Sequence, residues 1–354
     1  MAPETRVMEV AVIGDNFMAP DKFEQAIREA CDDAVTIRTM RLPFPDEPMA
    51  PGDAAAGLAG LKEYQGDPDE IVKFVGKAEV LVTHLAPVSA EMLDRMPALK
   101  LIAVSRGGPV SVDVASACSR GVRVCNAPAR NAGAVAEFTI GAILVETRMI
   151  RAGHEALRKG VWRGDLYRAD RAARELGEMT VGVIGYGAIG TGVVRLLKPF
   201  GCCILVNDPY AQLAEQDRQD EVKQGSLEAL LQQSDVVSLH VRVTPETIKL
   251  IGPRQFALMK RGAYFINTAR GALVDSDALY DALAGGHLGG AMLDTFDIEP
   301  LPPHASLLQL PNVTVTPHIA GASVKTVTIA AQAAAEEVRR HLRGVPPLNP
   351  CRCN

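Results

Sequence analysis

This sequence predicts an α/β fold with parallel sheets, divided between two domains. Three observations carry that expectation. Short apolar runs alternate with helical segments along most of the chain. Its 354 residues suit two domains at ~100–200 residues each. A glycine cluster of the form G-x-G-x-x-G falls between a strand-like run and a helix.

Composition narrows the class. The chain is 47% apolar and 22% charged, with 37 basic against 42 acidic residues and a net charge of −5. A mildly acidic chain has no basic stripe to track phosphate backbones, so no nucleic-acid partner is expected. No run approaches the ~18 unbroken apolar residues of a membrane span; the best, 134–150, is interrupted by Glu137, Glu146 and Arg148. The start lacks the basic, apolar and small-residue succession of a secretory signal, and a soluble cytoplasmic protein is expected. The seven cysteines, Cys31, Cys118, Cys125, Cys202, Cys203, Cys351 and Cys353, are odd in number and scattered. They read as reduced thiols, and Cys351 with Cys353 as a loose terminus. No ligand spacing for a metal is present.

In order, 7–13 is a first strand, 21–31 a helix with Phe23, Ile27 and Cys31 on one face, and 35–40 a second strand. The segment 42–66 opens on prolines and glycines and reads as an irregular connection. Runs 80–84 and 99–105 fit strands buried on both faces, with 89–96 a short helix between them. A second half begins near Asn126. There 131–149 is a long helix and 160–178 a polar, arginine-rich connection. Strands follow at 181–184, 204–207, 236–240, 264–267, 291–294 and 313–316, which is the inventory of a doubly wound dinucleotide-binding (Rossmann) domain. An amphipathic helix at 326–343 ends at Gly344.

The glycine cluster is Gly185, Gly187 and Gly190, directly after 181–184 and opening a helix. Gly185 permits the tight turn, Gly187 lets backbone approach a pyrophosphate, and Gly190 allows close helix–strand packing. The helix N-terminus adds unpaired N–H groups and partial positive charge. Asp208 ends the next strand, where a carboxylate accepts hydrogen bonds from ribose hydroxyls and repels a 2′-phosphate. NAD is therefore expected over NADP.

Three later strands each carry a charged residue to the C-terminal edge, the ligand side of such sheets. Arg270 follows 264–267, Asp294 and Glu299 follow 291–294, and His318 follows 313–316. A guanidinium fork holds a carboxylate and polarises the neighbouring carbonyl. An imidazole exchanges a proton with that carbonyl oxygen, and a carboxylate on its other nitrogen fixes the tautomer. This is the equipment for reversible oxidation of an alcohol beside a carboxylate. There is no P-loop ending in Gly-Lys-Ser/Thr and no Gly-x-Ser-x-Gly elbow.

With these motifs in this order, from about Val80 to Gly344, the chain resembles the D-isomer-specific 2-hydroxyacid dehydrogenases. The resemblance is carried by Gly185–Gly190, Ser234–His240, Asn267–Gly271, Asp294–Pro300 and Thr316–His318. It implies an NAD-dependent interconversion of a D-2-hydroxy acid and its 2-oxo acid, with Arg270, Glu299 and His318 as the catalytic set. The alternatives are a D-3-phosphoglycerate dehydrogenase proper, formate or phosphite oxidation, or a corepressor-like NADH-sensing scaffold. Formate-oxidising relatives pair their histidine with glutamine, so Glu299 counts against them. The resemblance further implies that Tyr186, Gly187, Ala188, Ile189, Asp208, His240, Thr268, Ala269, Asp294, His318 and Gly321 meet the cofactor, Asp294 through the nicotinamide carboxamide. It implies a flavodoxin-like lid domain, 1–125 with 319–354, closing over the cofactor domain at 126–318, and a homodimer through the latter. With little chain left beyond the closing helix, the regulatory C-terminal domains of longer phosphoglycerate dehydrogenases are not expected.

The chain departs from that family in its lid. Where close relatives read Gly-x-Gly-x-Asp-Asn, this chain has Arg106, Gly107, Gly108, Pro109, Val110 and Ser111. Gly107 and Gly108 can still present N–H groups to a substrate carboxylate; Pro109 has none. Arg106 either adds a cationic contact or points to solvent. His84 stands where phosphoglycerate-oxidising relatives can carry arginine; it reads as a substrate selector, which weakens the case for a phosphorylated substrate. Arg242 replaces a frequent proline, with cofactor or distal substrate group as its open alternatives. His154, His287 and His341 read as solvated, and His304 lies in a proline-rich loop.

Overall fold

In the computed structural model, residues 7–46 and 57–353 are described. They form two compact units: residues up to Arg130 together with those from Ser323 onward, and Asn131–Ala322. Of the irregular connection expected at 42–66, positions 47–56 lie outside the described residues, and 57–66 are turns and bends.

The first unit holds five strands, β1 (Met8–Asp15), β2 (Val35–Leu42), β3 (Val80–Thr83), β4 (Leu101–Val104) and β5 (Arg123–Cys125), in the order β2-β1-β3-β4-β5 with all neighbours parallel. That is the flavodoxin-like order. Alternation sorts each strand's side chains between two cores. Ala11, Ile13, Leu81, Ile102 and Val104 enter one; Val10, Val12, Val80, Val82, Leu101 and Ala103 enter the other. This is why the strands read as unbroken apolar runs. The helices α2 (Pro68–Val75), α3 (Ala90–Asp94) and α4 (Val114–Ser119) cover the first core through Ile71, Val75, Met92, Leu93 and Ala117. The helices α1 (Pro20–Cys31) and α12 (Val324–Leu342) cover the second. Ala330, Ala331, Ala334 and Ala335 make a stripe on α12 small enough for close approach to Phe23, Ile27 and Cys31 of α1. Burial of a side chain such as Phe23 contributes about 1.5–3 kcal/mol.

The cysteine reading is corrected here. Cys118 is disulfide-bonded to Cys353, their Cα atoms 6.0 Å apart. The terminus is not loose: Asn126 N–H donates to Asn349 O and Cys351 N–H to Val124 O, so the tail lies along β5. The buried Glu337 of α12 accepts from the N–H groups of Leu348 and Asn349. Half-buried Cys351 packs against the first core. Spacing along the chain does not reveal a partner that the fold brings across 235 residues.

The second unit opens with α5 (Ala132–Thr147) and α6 (Ile150–Arg158), separated where Met149 adopts φ 56°. Its sheet has strands β6 (Thr180–Ile184), β7 (Cys203–Asn207), β8 (Lys223–Gln224), β9 (Val236–Leu239), β10 (Tyr264–Asn267), β11 (Gly290–Leu293) and β12 (Val313–Val315), in the order β12-β11-β10-β9-β6-β7-β8. All ladders are parallel, and the order reverses between β6 and β9, the topological switch point of the Rossmann arrangement. The helix α7 (Ala188–Leu197) follows β6. Six strands were expected; the sheet has seven among the described residues, because the exposed two-residue edge strand β8 has no apolar signature. His287 and His341 are also corrected from solvated. The His287 Nε2 lies 3.0 Å from Phe256 O, and the His341 Nε2 lies 3.1 Å from a Glu79 carboxylate oxygen.

Candidate active site

Within the second unit, the loops leaving the C-terminal ends of β6, β7, β9, β10, β11 and β12 carry nearly all the residues the sequence singles out there. At β6, Gly185 adopts φ +97°, and a Cβ there would stand 2.7 Å from the His240 carbonyl. A Cβ on Gly190 would drive into the Gly185 carbonyl oxygen, whereas one on Gly187 meets nothing within 4 Å. Gly185 and Gly190 thus serve the fold, while Gly187 keeps open space before the exposed first turn of α7. Those free N–H groups, including those at Ala188 and Ile189, are the anion-binding end of the helix.

Asp208 accepts from Tyr186 N–H at 2.8 Å through one oxygen, and from Tyr210 N–H at 2.8 Å and Ala211 N–H at 3.0 Å through the other. Burial works to raise its pKa, but these three N–H groups outweigh it and hold the carboxyl below its ordinary range. The Tyr186 side chain belongs to a core cluster of the second unit. It is buried, and its hydroxyl donates to Asp217.

His240 ends β9 with Nε2 2.9 Å from Ser238 Oγ, while its buried Nδ1 has no protein partner. Burial pushes this histidine down to about 3, so the ring is neutral. A buried ring nitrogen without a partner is a pointer to a bound group. An open glycine cradle, a helix N-terminus, an ionised strand-end carboxylate and this orphaned nitrogen together fit a dinucleotide.

After β10, the buried Asn267 shapes the turn, accepting from Ala269 N–H and donating to Arg270 O, both at 3.0 Å. The Thr268 hydroxyl is turned inward, 2.9 Å from Thr139 Oγ1 on α5, so only the backbone at 268 and 269 faces the loop side. Arg270 is exposed, with Nη1 on the Ala269 carbonyl.

After β11 and β12 lies the acid/base pair. His318 Nδ1 is 2.9 Å from Glu299 Oε2, and Glu299 Oε1 accepts from Phe296 N–H at 2.9 Å. Nδ1 is committed, which leaves Nε2 as the reacting nitrogen. Burial raises the Glu299 carboxyl, but the His318 bond, the Phe296 N–H and the Arg270 charge bring it below the usual glutamate range. It is an anion at neutral pH.

Asp294, directly after β11, is tied to the turn that follows β12. It is fully buried, and it accepts from Thr316 Oγ1 at 2.6 Å and from the N–H groups of Ile319 and Ala320 at 2.8 Å. These bonds bracket His318, whose φ of 55° is left-handed and costs a non-glycine residue roughly 1–3 kcal/mol. Its carboxylate holds that strained turn. Gly321 belongs to the same turn, and a Cβ there would strike the Asn131 side-chain amide at 2.5 Å. Sequence reading passed over Thr295, whose buried hydroxyl has no partner and which has no charge or spacing that marks it.

In the first unit, His84 is 3% exposed, with Nδ1 2.5 Å from the buried Asp15 carboxylate and its ring stacked on Phe44. Arg106 is paired with Glu63. Gly107 and Gly108 have open space where a side chain would stand, and Asn126 holds the Gly107 carbonyl at 2.8 Å.

No group of three or more potential metal ligands occurs among the described residues, nor any helix long and apolar enough to cross a membrane. The sequence model of the D-isomer specific 2-hydroxyacid dehydrogenase NAD-binding domain matches residues 140–320. The chain is 37% identical over 282 residues to the glyoxylate reductase of Korarchaeum cryptofilum, covering 79% of this chain and 84% of that one. It is 36% identical over 292 residues to the glycerate dehydrogenase of Methylorubrum extorquens, covering 80% and 90%. The crystal structure of the TT0316 protein from Thermus thermophilus superposes with a TM-score of 0.76 at 32% identity, over 97% of this chain and 100% of that one.

Proposed function

We propose, proceeding from the fact that the chain belongs to the D-isomer specific 2-hydroxyacid dehydrogenase family, that Arg270, Glu299 and His318 carry its chemistry. The chain is an NAD-dependent oxidoreductase that interconverts a D-2-hydroxy acid and its 2-oxo acid. NAD, when bound, supplies or accepts the hydride.

The residues do the rest. Arg270 receives the substrate carboxylate and polarises the adjacent carbonyl. His318 Nε2 gives its proton to the carbonyl oxygen during reduction and takes it back during oxidation. Glu299, ionised, balances the imidazolium and fixes the ring. Gly187, Ala188 and Ile189 take the diphosphate, Asp208 the adenosine ribose, and the partnerless His240 nitrogen faces the bound dinucleotide.

The observation that carries this reading is the 2.9 Å bond between His318 and Glu299 in a dinucleotide-binding unit, with the Arg270 charge acting on the same carboxylate. NADH consumption is the test, followed with glyoxylate, hydroxypyruvate, phosphohydroxypyruvate and bulkier 2-oxo acids. One or more should turn over at ~1–10³ per second. His318→Ala should lose roughly 10²–10⁴ of that rate while still binding NADH. Full turnover by His318→Ala, or none by the intact enzyme with any acid, defeats the assignment.

A homodimer through the second unit is part of the proposal. Trp162 is 82% and Tyr167 95% exposed, and Ile150, Leu157 and Val161 are exposed beside them in sequence, an apolar set that a second copy would cover. Sedimentation should return twice the chain mass, and Trp162→Asp should lower it.

A further inference from the structure

One residue of the glycine turn has no part in the chemistry proposed above. Tyr186 stands between Gly185, which makes the turn, and Gly187, which keeps it open. Its N–H donates to Asp208 Oδ2 at 2.8 Å and is committed to the carboxylate expected at the ribose. Its side chain is 7% exposed and belongs to the same core as Leu213. Its hydroxyl accepts from Ala214 N–H at 3.3 Å and donates to Asp217.

The loop 208–214 is thus tied at both ends to one residue. Asp208 at its start meets the Tyr186 backbone, and Ala214 at its end meets the phenol. Between them, the N–H groups of Tyr210 and Ala211 fold back on Asp208 Oδ1. Gln224 Nε2 donates to the Asp208 and Ala211 carbonyls at 3.0 and 2.7 Å, which steadies the first half of the loop. The phenol is itself anchored. Asp217 lies on α8 (Glu215–Gln219), is 6% exposed, and has its charge balanced by Lys198, which also meets Asp220 at 2.7 Å. An ionised acceptor makes a stronger bond than a neutral one. Burial and the Asp217 carboxylate push the phenol above its ordinary range, so it stays protonated and donates. A phenylalanine would fill the same apolar space; what the hydroxyl adds is the tie to Ala214 and Asp217.

We infer that Tyr186 is a positioning residue for the cofactor: by tying both ends of the 208–214 loop to the diphosphate turn, it fixes Asp208 at the adenosine ribose and so sets the preference for NADH over NADPH. This deepens the reading above and rests on its placing Asp208 at the ribose. A carboxylate there discriminates by accepting from the ribose hydroxyls and by repelling a 2′-phosphate, and both depend on where it is held.

Fluorescence titration of the full chain with NADH and NADPH, and initial rates with a 2-oxo acid that turns over, test this. Tyr186→Phe should raise Kd and KM for NADH roughly 3–10-fold, about the worth of one hydrogen bond. It should change those for NADPH little and leave kcat at saturating NADH near that of the parent. Cofactor preference therefore falls, whereas a loosened fold would weaken both dinucleotides alike. Asp217→Ala should reproduce the loss, and adding it to Tyr186→Phe should cost nothing further, because the two side chains act through one bond. Asp217→Asn, which still accepts from the phenol, should keep most of the NADH affinity. A Tyr186→Phe chain with the parent's preference, equal losses for both dinucleotides, or additive losses in the double variant overturns the inference. An intact chain that prefers NADPH defeats it through Asp208. If the intact chain binds neither dinucleotide, the reading of its function fails with it; if it binds NADH and Tyr186→Phe binds it equally well, the positioning role alone falls.

Discussion

His318 occupies a backbone conformation that an L-residue adopts only under compulsion, and the compulsion is the buried Asp294 with its bonds on either side. The 2.9 Å bond to Glu299 then orients the imidazole on that fixed backbone, which is the preorganisation acid–base chemistry needs. Glu299→Gln keeps the shape and removes the charge. The pH profile of 2-oxo acid reduction should then move to lower pH, because the protonated imidazole loses its carboxylate partner; an unmoved profile argues against the pair. The same carboxylate links pH to stability. Its pKa is lowered by folding, so its contribution is present above the usual glutamate range and is lost as pH falls through the lowered value. Asp208 is a second residue-scale case, where three backbone N–H groups keep a carboxylate ionised beside the expected ribose. Asp208→Asn should reduce the NADH-over-NADPH preference about tenfold, equivalent to ~1.4 kcal/mol. Initial rates with both cofactors measure it.

The β6–α7 junction shows how one glycine pattern divides into different physical tasks. Gly190 lacks room for a methyl group against the Gly185 carbonyl, whereas Gly187 has open space around it. Gly190→Ala should therefore destabilise the second unit, by roughly 1–3 kcal/mol as overpacking against backbone does. Gly187→Ala should melt like the parent and bind NADH more weakly. Thermal melting and NADH fluorescence titration separate the two, and equal losses in both variants would contradict the division. The elements themselves were largely legible, since β1, β3, β9 and β10 are apolar runs buried on both faces and α1 repeats its buried side chains at helical spacing. The two-residue β8 was not, because an exposed edge strand has no core-facing side chain to betray it.

At the scale of the whole molecule, one unit is assembled from two distant stretches of chain. The Cys118–Cys353 bond and the α1–α12 alanine seam fasten them together. Cys118→Ser, or reductant, should lower the stability of this unit by about 2–4 kcal/mol, read as a fall in melting temperature. A melting temperature indifferent to both would mean that the seam alone suffices. The alternation of strands and helices, the glycine turn and the charged residues at strand ends were legible in the linear chain, because each of these is encoded in residues near one another. The thiol pairing, the burial of His84 against Asp15 and the bonds from Asp294 to the His318 turn were settled by the closed fold alone. Each of those depends on which distant group arrives as a neighbour, and the desolvation and partners that settle a polar side chain's role exist only once the chain has closed around it.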